Sequence, residues 1–392
     1  MKKVFFVEGE NPFANFITRR IDYLSERSDV KIIVLLEFDD PYLNKNPRVE
    51  YLLKLNFKRF FNKSLLRLLS DFPFSLLRSF RVFYFFPRPF IKIRQRIYMS
   101  LVNNEILKKE FDIIHLQYIG QFSLIEWIGK MTGKPIISSV RGAQVTFMID
   151  SNPSYSDVIR YAFRESNLIH CVSNSLLQRC LEIGAPSDKL FVNYNGIDTD
   201  NFKPDGERLF DGAIHFITVG SLGWRKGVHF QFLVIKLLSK KMPDLKFLLN
   251  IVGSGSDLYQ LRYLAKTMNV LHLVNFLGQK PESEIISLLK NSHLYLTTSV
   301  AEGLSNSVME ALSVGLPVVS FNCEGAKEMV TDGYNGFVVD FGDINKFVER
   351  IEDIIRDRKV LKRFSENATS GIKEKFNVQF QINEIMNVYN RI

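Results

Sequence analysis

Two glutamates are notable for their spacing in a run that is otherwise apolar and rich in glycine. Glu302 and Glu310 lie eight positions apart in "SVAEGLSNSVMEALSVGLPVV", residues 299–319, which contains no lysine or arginine. Because burial of an unpaired carboxylate costs free energy, both side chains either face water or accept hydrogen bonds from a ligand. A third interpretation is local. Ser307 and Glu310 have the S-x-x-E spacing of a capping box, which satisfies amides at a helix start without any ligand.

A basic, glycine-rich turn supplies candidate anion-binding groups. "TVGSLGWRKG", residues 218–227, lies between an apolar run and a helical pattern, and it carries Arg225 and Lys226. Cations beside free amides at a helix start form a site for phosphate, although basic loops are also commonly just solvated. "NIVGSGSDLYQL", residues 250–261, has two glycines after a strand-like run, but Leu258 occupies the third glycine position of G-x-G-x-x-G. It therefore fails as a dinucleotide fingerprint.

Motifs for a metal site or a hydrolase have less support in the sequence. Asp198 and Asp200 in "NGIDTD" form a D-x-D that could bind magnesium, but Asn-Gly is a turn signal, and we favour turn and cap roles for them. The six histidines are dispersed, without H-E-x-x-H or a close pair, so no metal site is expected. The three cysteines lack C-x-x-C spacing, which suits a reducing cytoplasm. No G-x-S-x-G indicates a serine hydrolase.

The elements around the two glutamates form a strand, loop, helix and strand. The apolar "HLYLTTS" predicts a strand that ends near Ser299, which places Glu302 on the following loop. Glu310 falls in the first turns of a helix for which Gly315 is a C-terminal cap and Pro317 prevents continuation. In open parallel sheets, ligands bind at this carboxyl edge.

The same alternation of strand-like and helical patterns runs through the whole chain. It is expected of βαβ units and parallel sheets, and 392 residues suggest two domains. We predict an α/β protein with a Rossmann-like N-terminal domain at 1–200, a linker at 201–212 and a second Rossmann-like domain at 213–376. A final helix at 377–392, with Asn377 as its N-cap, is expected to pack across both.

The net charge of +9 is concentrated in one segment. Residues 54–109 contain thirteen lysines and arginines against two acids, with ten phenylalanines interleaved. Such a segment suits an anionic membrane surface; alternatively, the phenylalanines are core and the cations a solvated face. Nucleic acid is not an expected partner because no recognised motif accompanies the charge.

Targeting signals are missing from the sequence pattern. The apolar run at the N-terminus is too short for a signal peptide, and no apolar stretch reaches the ~18 residues needed to cross a bilayer. We expect a cytoplasmic protein, peripheral on the inner membrane face.

At the level of motifs the chain resembles the retaining glycosyltransferases of family 4, which have the GT-B fold. "SVAEGLSNSVMEALSVGLPVVS" resembles their E-x7-E motif, "NYNGIDTDNFKP" their linker-proximal segment and "VGSLGWRKG" their phosphate-binding loop. "LNIVGSGSDLYQL", "VNFLGQ" and "GAKEMVTDGYNGFVV" follow in the same order. The resemblance covers residues 165–340 closely and is looser in the first half. It implies two Rossmann-like domains that face each other across a cleft.

The resemblance also implies roles for individual residues. Glu310 would bind the ribose hydroxyls of a nucleotide sugar, Glu302 would hold hydroxyls of the sugar, and Lys226 would bind the diphosphate. The family has an arginine where this chain has Ser221, so Arg225 is assigned that role. The catalytic set is then Arg225, Lys226 and Glu302. The donor-binding set is Gly220, Ser221, Gly253, Gly303, Leu304, Ser305 and Glu310. The acceptor-side candidates are Gly9, Asn11, His115 and Arg141, where Arg141 replaces the histidine common in the family.

The implied reaction is transfer of a sugar, with retention, from a nucleotide-sugar donor to a glycan or lipid-linked acceptor. The product would be a cell-surface polysaccharide or glycolipid. No metal and no cofactor would be required, since cations and helix amides would stabilise the departing diphosphate. Two alternatives remain open at this point: a sugar-nucleotide epimerase on the same fold, and a non-catalytic sugar-nucleotide-binding subunit.

Overall fold

The computed structural model describes residues 1–7, 15–36, 46–53, 106–206 and 212–392. The chain divides into two compact units. Unit 1 contains Met1–Cys171, Leu177–Asn193 and Ile382–Ile392, and unit 2 contains Val172–Leu176 and Tyr194–Gln381. Elements are numbered through the described residues.

Unit 1 is built around a seven-stranded sheet in which all neighbouring strands pair in parallel. Its strands are β1 Lys2–Val7, β2 Val30–Leu36, β3 Val49–Leu53, β4 Ile113–Leu116, β5 Ile136–Val140, β6 Leu168–Cys171 and β7 Leu190–Val192. Its helices are α1 Asn15–Ser25, α2 Phe122–Thr132, α3 Met148–Ser151 and α4 Pro153–Glu165. The helix α5, Asn174–Glu182, begins in unit 2 and continues in unit 1.

Unit 2 contains a six-stranded parallel sheet. Its strands are β8 Ala213–Val219, β9 Lys246–Val252, β10 Val274–Gly278, β11 Leu294–Thr297, β12 Val318–Phe321 and β13 Gly336–Val339. Its helices are α6 Val228–Lys241, α7 Leu258–Thr267, α8 Glu282–Lys290, α9 Asn306–Ser313, α10 Ala326–Met329, α11 Ile344–Arg356 and α12 Arg358–Lys375. The last helix, α13, is Val378–Arg391, of which Val378–Gln381 belong to unit 2 and the rest to unit 1.

Both sheets have the strand order of a Rossmann fold. The first runs β3-β2-β1-β4-β5-β6-β7 and the second β10-β9-β8-β11-β12-β13. In each sheet the order reverses after the first strand, so a crevice opens between β1 and β4 and between β8 and β11, at the carboxyl ends where this fold binds ligands. The prediction of two Rossmann-like α/β domains is confirmed.

The strands are mostly apolar because helices cover the sheets. In unit 2, strand residues such as Phe216, Leu249 and Phe321 are completely buried, together with Phe232 and Ile235 of α6. The core therefore lies between the sheet and its helices, and the polar residues that follow each strand are left at the carboxyl edge.

Helix ends follow the sequence signals closely. Gly315 adopts a left-handed conformation (φ +72°) after Val314, the C-cap of α9, and the amides of Gly315 and Leu316 donate to the carbonyls of Leu312 and Ala311. These two bonds form a Schellman motif. Asn377 caps α13, since its Oδ1 accepts from the amide of Gln379 at 2.9 Å.

The units do not divide where the sequence suggests. The predicted first domain extends to residue 200, whereas the chain enters unit 2 at Tyr194 and Val172–Leu176 also belong to it. The linker placed at 201–212 includes residues 207–211, which lie outside the described residues. Among the residues that are described, no helix is long and apolar enough to cross a membrane.

A chain of buried polar groups connects the strands of unit 1. His170 Nε2 bonds to the backbone carbonyl of Asn193 at 2.7 Å, so that nitrogen carries the proton and Nδ1 accepts from Ser139. Ser139 Oγ in turn accepts from His115 Nε2 at 2.9 Å, which leaves His115 Nδ1 to accept from the Tyr389 hydroxyl at 2.6 Å. One carbonyl thus determines both tautomers, and both imidazoles are neutral.

Acid should destabilise unit 1 through these two histidines. Burial first, and then the positive charge of Arg20, lower the pKa of His115 and of His170 well below the ordinary value. The unfolded chain binds these protons below about pH 6.5 and the folded chain does not, so stability is complete above that pH and falls below it. We expect a loss of about 1.4 kcal/mol for each histidine at pH 5.5.

Proton NMR of the imidazole rings measures this directly. The His115 and His170 resonances should stay constant from pH 7.5 to 5.5. Titration of either ring with a midpoint near 6.5 would contradict the prediction.

Candidate functional site

The turn after β8 carries Lys226 to the crevice between β8 and β11. Residues Trp224–Lys226 form a single 3-10 turn that ends at Gly227, whose φ of +58° is left-handed. A Cβ on Gly227 would lie 2.1 Å from the carbonyl oxygen of Thr298, so only glycine permits this contact. The Thr298 hydroxyl bonds to the Gly227 carbonyl at 2.9 Å, and the Val300 amide bonds to the Arg225 carbonyl at 2.7 Å. The loops after β8 and β11 are thereby joined.

Lys226 and Glu302 form an ion pair across these two loops. Each side chain is 24% exposed, so Glu302 is not the solvated loop residue of the first alternative. Burial lowers the pKa of Lys226, but Glu302 and other nearby groups outweigh it and raise the pKa overall. Lys226 is therefore a cation at neutral pH, held against a carboxylate at the point where the strand order reverses.

The capping-box interpretation of Glu310 is wrong. Helix α9 begins at Asn306 with Ser305 as its N-cap, so Ser307 lies inside the helix. The Ser307 hydroxyl bonds to Tyr295 Oη at 2.8 Å instead of capping, and the Ser305 side chain makes no capping bond. Glu310 is half-buried in the second turn of α9.

Tyr295 is an organising residue that the sequence motifs did not identify. It is completely enclosed on β11, and its hydroxyl donates to the Val219 carbonyl at the end of β8 at 3.1 Å. Burial raises the pKa of Tyr295, Lys226 opposes that shift and Glu310 adds to it. The phenol thus lies near both the cation of the first loop and the carboxylate of α9. Its only signal was an aromatic residue with a hydroxyl in a buried strand.

The "GSGS" segment after β9 packs against the phosphate-loop candidate. A Cβ on Gly253 would lie 1.9 Å from the carbonyl oxygen of Gly220, and one on Gly255 would lie 2.3 Å from that of Leu222. The Leu222 amide donates to the Ser254 carbonyl at 2.8 Å. These glycines allow backbone to contact backbone, which explains their presence without a dinucleotide fingerprint.

The remaining predicted donor residues lie around this centre. Ser221 and Arg225 are exposed at the turn, and Lys226 is the cation that meets Glu302. Gly303, Leu304 and Ser305 are buried directly before α9. The structure therefore brings the predicted donor set to one edge of one sheet.

The loop after β12 completes this edge. The Glu302 amide donates to Glu324 Oε2 at 3.2 Å. A recess beside this bond is lined by Thr297, Glu302, Ser305, Ser320, Cys323 and Glu324, with apolar residues of α9 and α10. Burial first, then Glu302 and Glu324, raise the pKa of Cys323 to about 12. Glu324 was missed because nothing in the sequence marked it beyond its place shortly after a strand.

The acceptor-side predictions have mixed outcomes. His115 is completely buried and both ring nitrogens are bonded, so the ring has no atom left for a direct acceptor contact and its role is structural. Arg141 follows β5 and donates from Nε to the Gln117 carbonyl at 2.8 Å and from Nη2 to Gln117 Oε1. Gly9 and Asn11 lie outside the described residues.

Gln117 is a second residue that sequence reasoning missed. It follows β4, is completely buried, and its Nε2 has no hydrogen-bond partner within the described part of the chain. Because arginine only donates, the amide oxygen must face Arg141, which fixes the orientation of the Nε2 group. Its position directly after a predicted strand could have identified Gln117 from the sequence.

Asp198 has the turn role that we favoured. Its Oδ1 accepts from the amides of Asp200 and Asn201 at 3.0 and 3.1 Å. Across the described ranges, no group of three or more His, Cys, Asp or Glu side chains is placed to hold a metal ion.

Comparison with known proteins finds a family model that matches each half of the chain. The family model described as "Glycosyltransferase Family 4" matches residues 48–201, and "Glycosyl transferases group 1" matches residues 200–371. The N-acetyl-alpha-D-glucosaminyl L-malate synthase of Bacillus anthracis is 24% identical over 294 residues, which is 73% of this chain and 76% of that protein. The UDP-Gal:alpha-D-GlcNAc-diphosphoundecaprenol alpha-1,3-galactosyltransferase of Escherichia coli is 26% identical over 306 residues, 73% of this chain and 77% of its own.

Solved structures agree on the fold. Anabaena HepE in complex with UDP and glucose superposes over 100% of both chains with a TM-score of 0.77, at 17% identity. Together with the two family matches, this confirms the family and fold that the motifs predicted. The chain belongs to the glycosyltransferases, as a family 4 type enzyme with the GT-B fold.

Proposed function

We propose that the chain transfers a sugar from a nucleotide-sugar donor to a glycan or lipid-linked acceptor, with retention of anomeric configuration. The reaction would serve synthesis of a cell-surface polysaccharide or glycolipid. The observation that carries this proposal is the Lys226–Glu302 pair, which brings a partly buried cation and a carboxylate from two loops to the reversal point of the second sheet. Family matches along 48–371 favour transfer over the epimerase and the non-catalytic subunit.

In this proposal the diphosphate of the donor binds beside Lys226 and Arg225. The amides of Gly303, Leu304 and Ser305 precede α9, whose N-cap side chain makes no capping bond, and they can add hydrogen bonds to the anion. Breaking the glycosidic bond leaves extra negative charge on the diphosphate. Fixed cations and amides would stabilise that charge, which is usually the largest catalytic contribution.

Binding of the donor would exchange partners within the ion pair. Lys226 is cationic and bonded to Glu302, and a diphosphate carries more charge than one carboxylate. As Lys226 turns to the phosphates, Glu302 is released to accept hydrogen bonds from sugar hydroxyls. Glu302 then orients the sugar and does not act as a nucleophile.

The proposal assigns no metal and no cofactor to the reaction. Its support is the presence of two lysine or arginine side chains at the phosphate turn, together with the use of Asp198 in a backbone turn. The acceptor would bind unit 1 at the carboxyl edge of its sheet, where Arg141 and Gln117 lie. The Escherichia coli relative is named for a diphosphoundecaprenol-linked substrate, which supports a lipid-linked acceptor.

Glu310 should contribute to donor binding and little to folding. The Glu310→Gln variant keeps the shape and loses the charge, so a ribose hydroxyl bonded to it loses about 1.5–3 kcal/mol, or roughly ten- to a hundredfold in affinity. Calorimetric titration with UDP, GDP and ADP measures the loss. Exposed Glu374 provides a matched Glu374→Gln control. Equal affinities in the two variants would refute the assignment.

Removal of the Lys226 charge should reduce turnover far more than stability. For Lys226→Met we expect a decrease in kcat of about 100- to 1,000-fold, and the control Lys240→Met, at an exposed position on α6, should retain activity. Initial rates with and without EDTA test metal independence in the same assay. Activity that disappears on chelation and returns with magnesium would show that the metal-free part of the proposal is wrong.

Membrane association through residues 54–109 is proposed from sequence, and all but 106–109 of this segment lie outside the described residues. Each basic residue near an anionic surface contributes about 1 kcal/mol. The chain should therefore float with anionic vesicles at low salt and less at high salt. Neutralising Lys58, Arg59, Lys63 and Arg67 together should weaken flotation. Failure to float with anionic vesicles at any salt concentration would exclude this surface.

A further inference from the structure

Glu324 is fixed in place between two loops of unit 2. Its Oε2 accepts from the Glu302 amide at 3.2 Å. The next residue, Gly325, is left-handed (φ +64°), and a Cβ there would lie 2.2 Å from the Gly303 carbonyl oxygen. The Gly325 amide donates to Ser175 Oγ at 2.9 Å. The Glu324 carboxylate is therefore positioned before any ligand arrives.

This carboxylate lines two spaces. It lines the recess that it shares with Glu302, and it also lines a larger concavity with Val300, Asn322 and Lys327. The volume of the concavity is about 390 Å³, within the range of ~300–1,000 Å³ typical of small-molecule sites. A group bound beside Glu302 would contact Glu324 as well.

Among the described residues, no cation is bonded to Glu324. The carboxylate accepts a hydrogen bond from the Glu302 amide and takes part in no ion pair with these residues. Glu328, the other carboxylate that lines the larger concavity, already has partners: it accepts from the amides of Asn174 and Ser175 at 3.0 and 2.9 Å. Lys327 is exposed, where solvent weakens its field.

We propose that Glu324 is a specificity-determining residue that accepts hydrogen bonds from the transferred sugar, which makes the site selective for neutral sugars over uronic acids. The inference rests on the proposed function, because it needs a nucleotide-sugar donor with its diphosphate at Lys226. Once Lys226 turns to the phosphates, Glu302 and Glu324 both face the sugar. Two carboxylates bind hydroxyl donors well and repel the carboxylate of a uronic acid.

Calorimetric titration of the full chain separates recognition of the sugar from recognition of the nucleotide. The probes are UDP, UDP-glucose, UDP-galactose and UDP-glucuronic acid, with GDP, GDP-mannose and GDP-mannuronic acid as a second set. For the nucleotide that binds, wild type should bind at least one neutral sugar nucleotide about tenfold more tightly than the uronic acid. In Glu324→Gln the free nucleotide should bind within twofold of wild type, while this discrimination falls to threefold or less.

Two further variants test the effect of side-chain length and provide a control at an exposed glutamate. Glu324→Asp retains the charge on a shorter side chain, so it should lose neutral-sugar affinity without loss of nucleotide affinity. Glu366→Gln alters an exposed glutamate on α12 and should match wild type in every titration. Unfolding midpoints of all variants show whether each is folded.

The outcomes distinguish this inference from the function on which it rests. If no nucleotide binds, the proposed function fails. If nucleotides bind but wild type accepts the uronic acid as tightly as the neutral sugars, or if Glu324→Gln leaves the discrimination unchanged, the role of Glu324 is refuted and the proposed function stands. Equal weakening of free nucleotide and sugar nucleotide in Glu324→Gln also refutes it, because the residue would then only support the loops.

Discussion

Close contact between backbones at the carboxyl edge of the second sheet is the constraint on which the site depends. Three glycines lie so near a carbonyl oxygen of a neighbouring loop that a Cβ would come within 1.9 to 2.2 Å of it. The contacts join Gly227 to Thr298, Gly253 to Gly220 and Gly325 to Gly303. Together they hold the loops after β8, β9, β11 and β12 at fixed separations. The positions of Lys226, Glu302 and Glu324 follow from those separations, since each side chain projects from one of these loops.

The Lys226–Glu302 ion pair at this edge has a cost in desolvation free energy, but it prepares the site for a donor. Removing two charges from water has a desolvation penalty that their attraction often fails to offset, so Lys226 and Glu302 are not explained by stability alone. Their pairing keeps each side chain satisfied while no donor is present. It also places a cation where phosphates arrive and a carboxylate where hydroxyls arrive, so one binding event satisfies both.

The sequence patterns correctly predicted the features that depend mainly on residues close together in the chain. Alternating apolar runs gave the parallel sheets, Gly315 and Asn377 marked helix ends, and Asp198 formed the turn that Asn-Gly indicated. The errors concern contacts between residues far apart in sequence. Ser307 has capping-box spacing, but its hydroxyl bonds to Tyr295 on a strand. His115 was taken for an acceptor residue because no local pattern shows that Ser139 and Tyr389 occupy its ring. The exchange of Val172–Leu176 between units is likewise set by tertiary contacts.

The membership of α13 in unit 1 has a consequence for biosynthesis. Residues Ile382–Ile392 belong to the same compact unit as the first strand, and Tyr389 closes the hydrogen-bond chain that starts at Asn193. A ribosome delivers the N-terminal part first, and domains usually fold as they emerge. Here the polar centre of unit 1 stays incomplete until residue 389 has left the ribosome exit tunnel. Unit 2, whose residues end at Gln381, has its full set of residues earlier, although unit 1 contains the first residues of the chain.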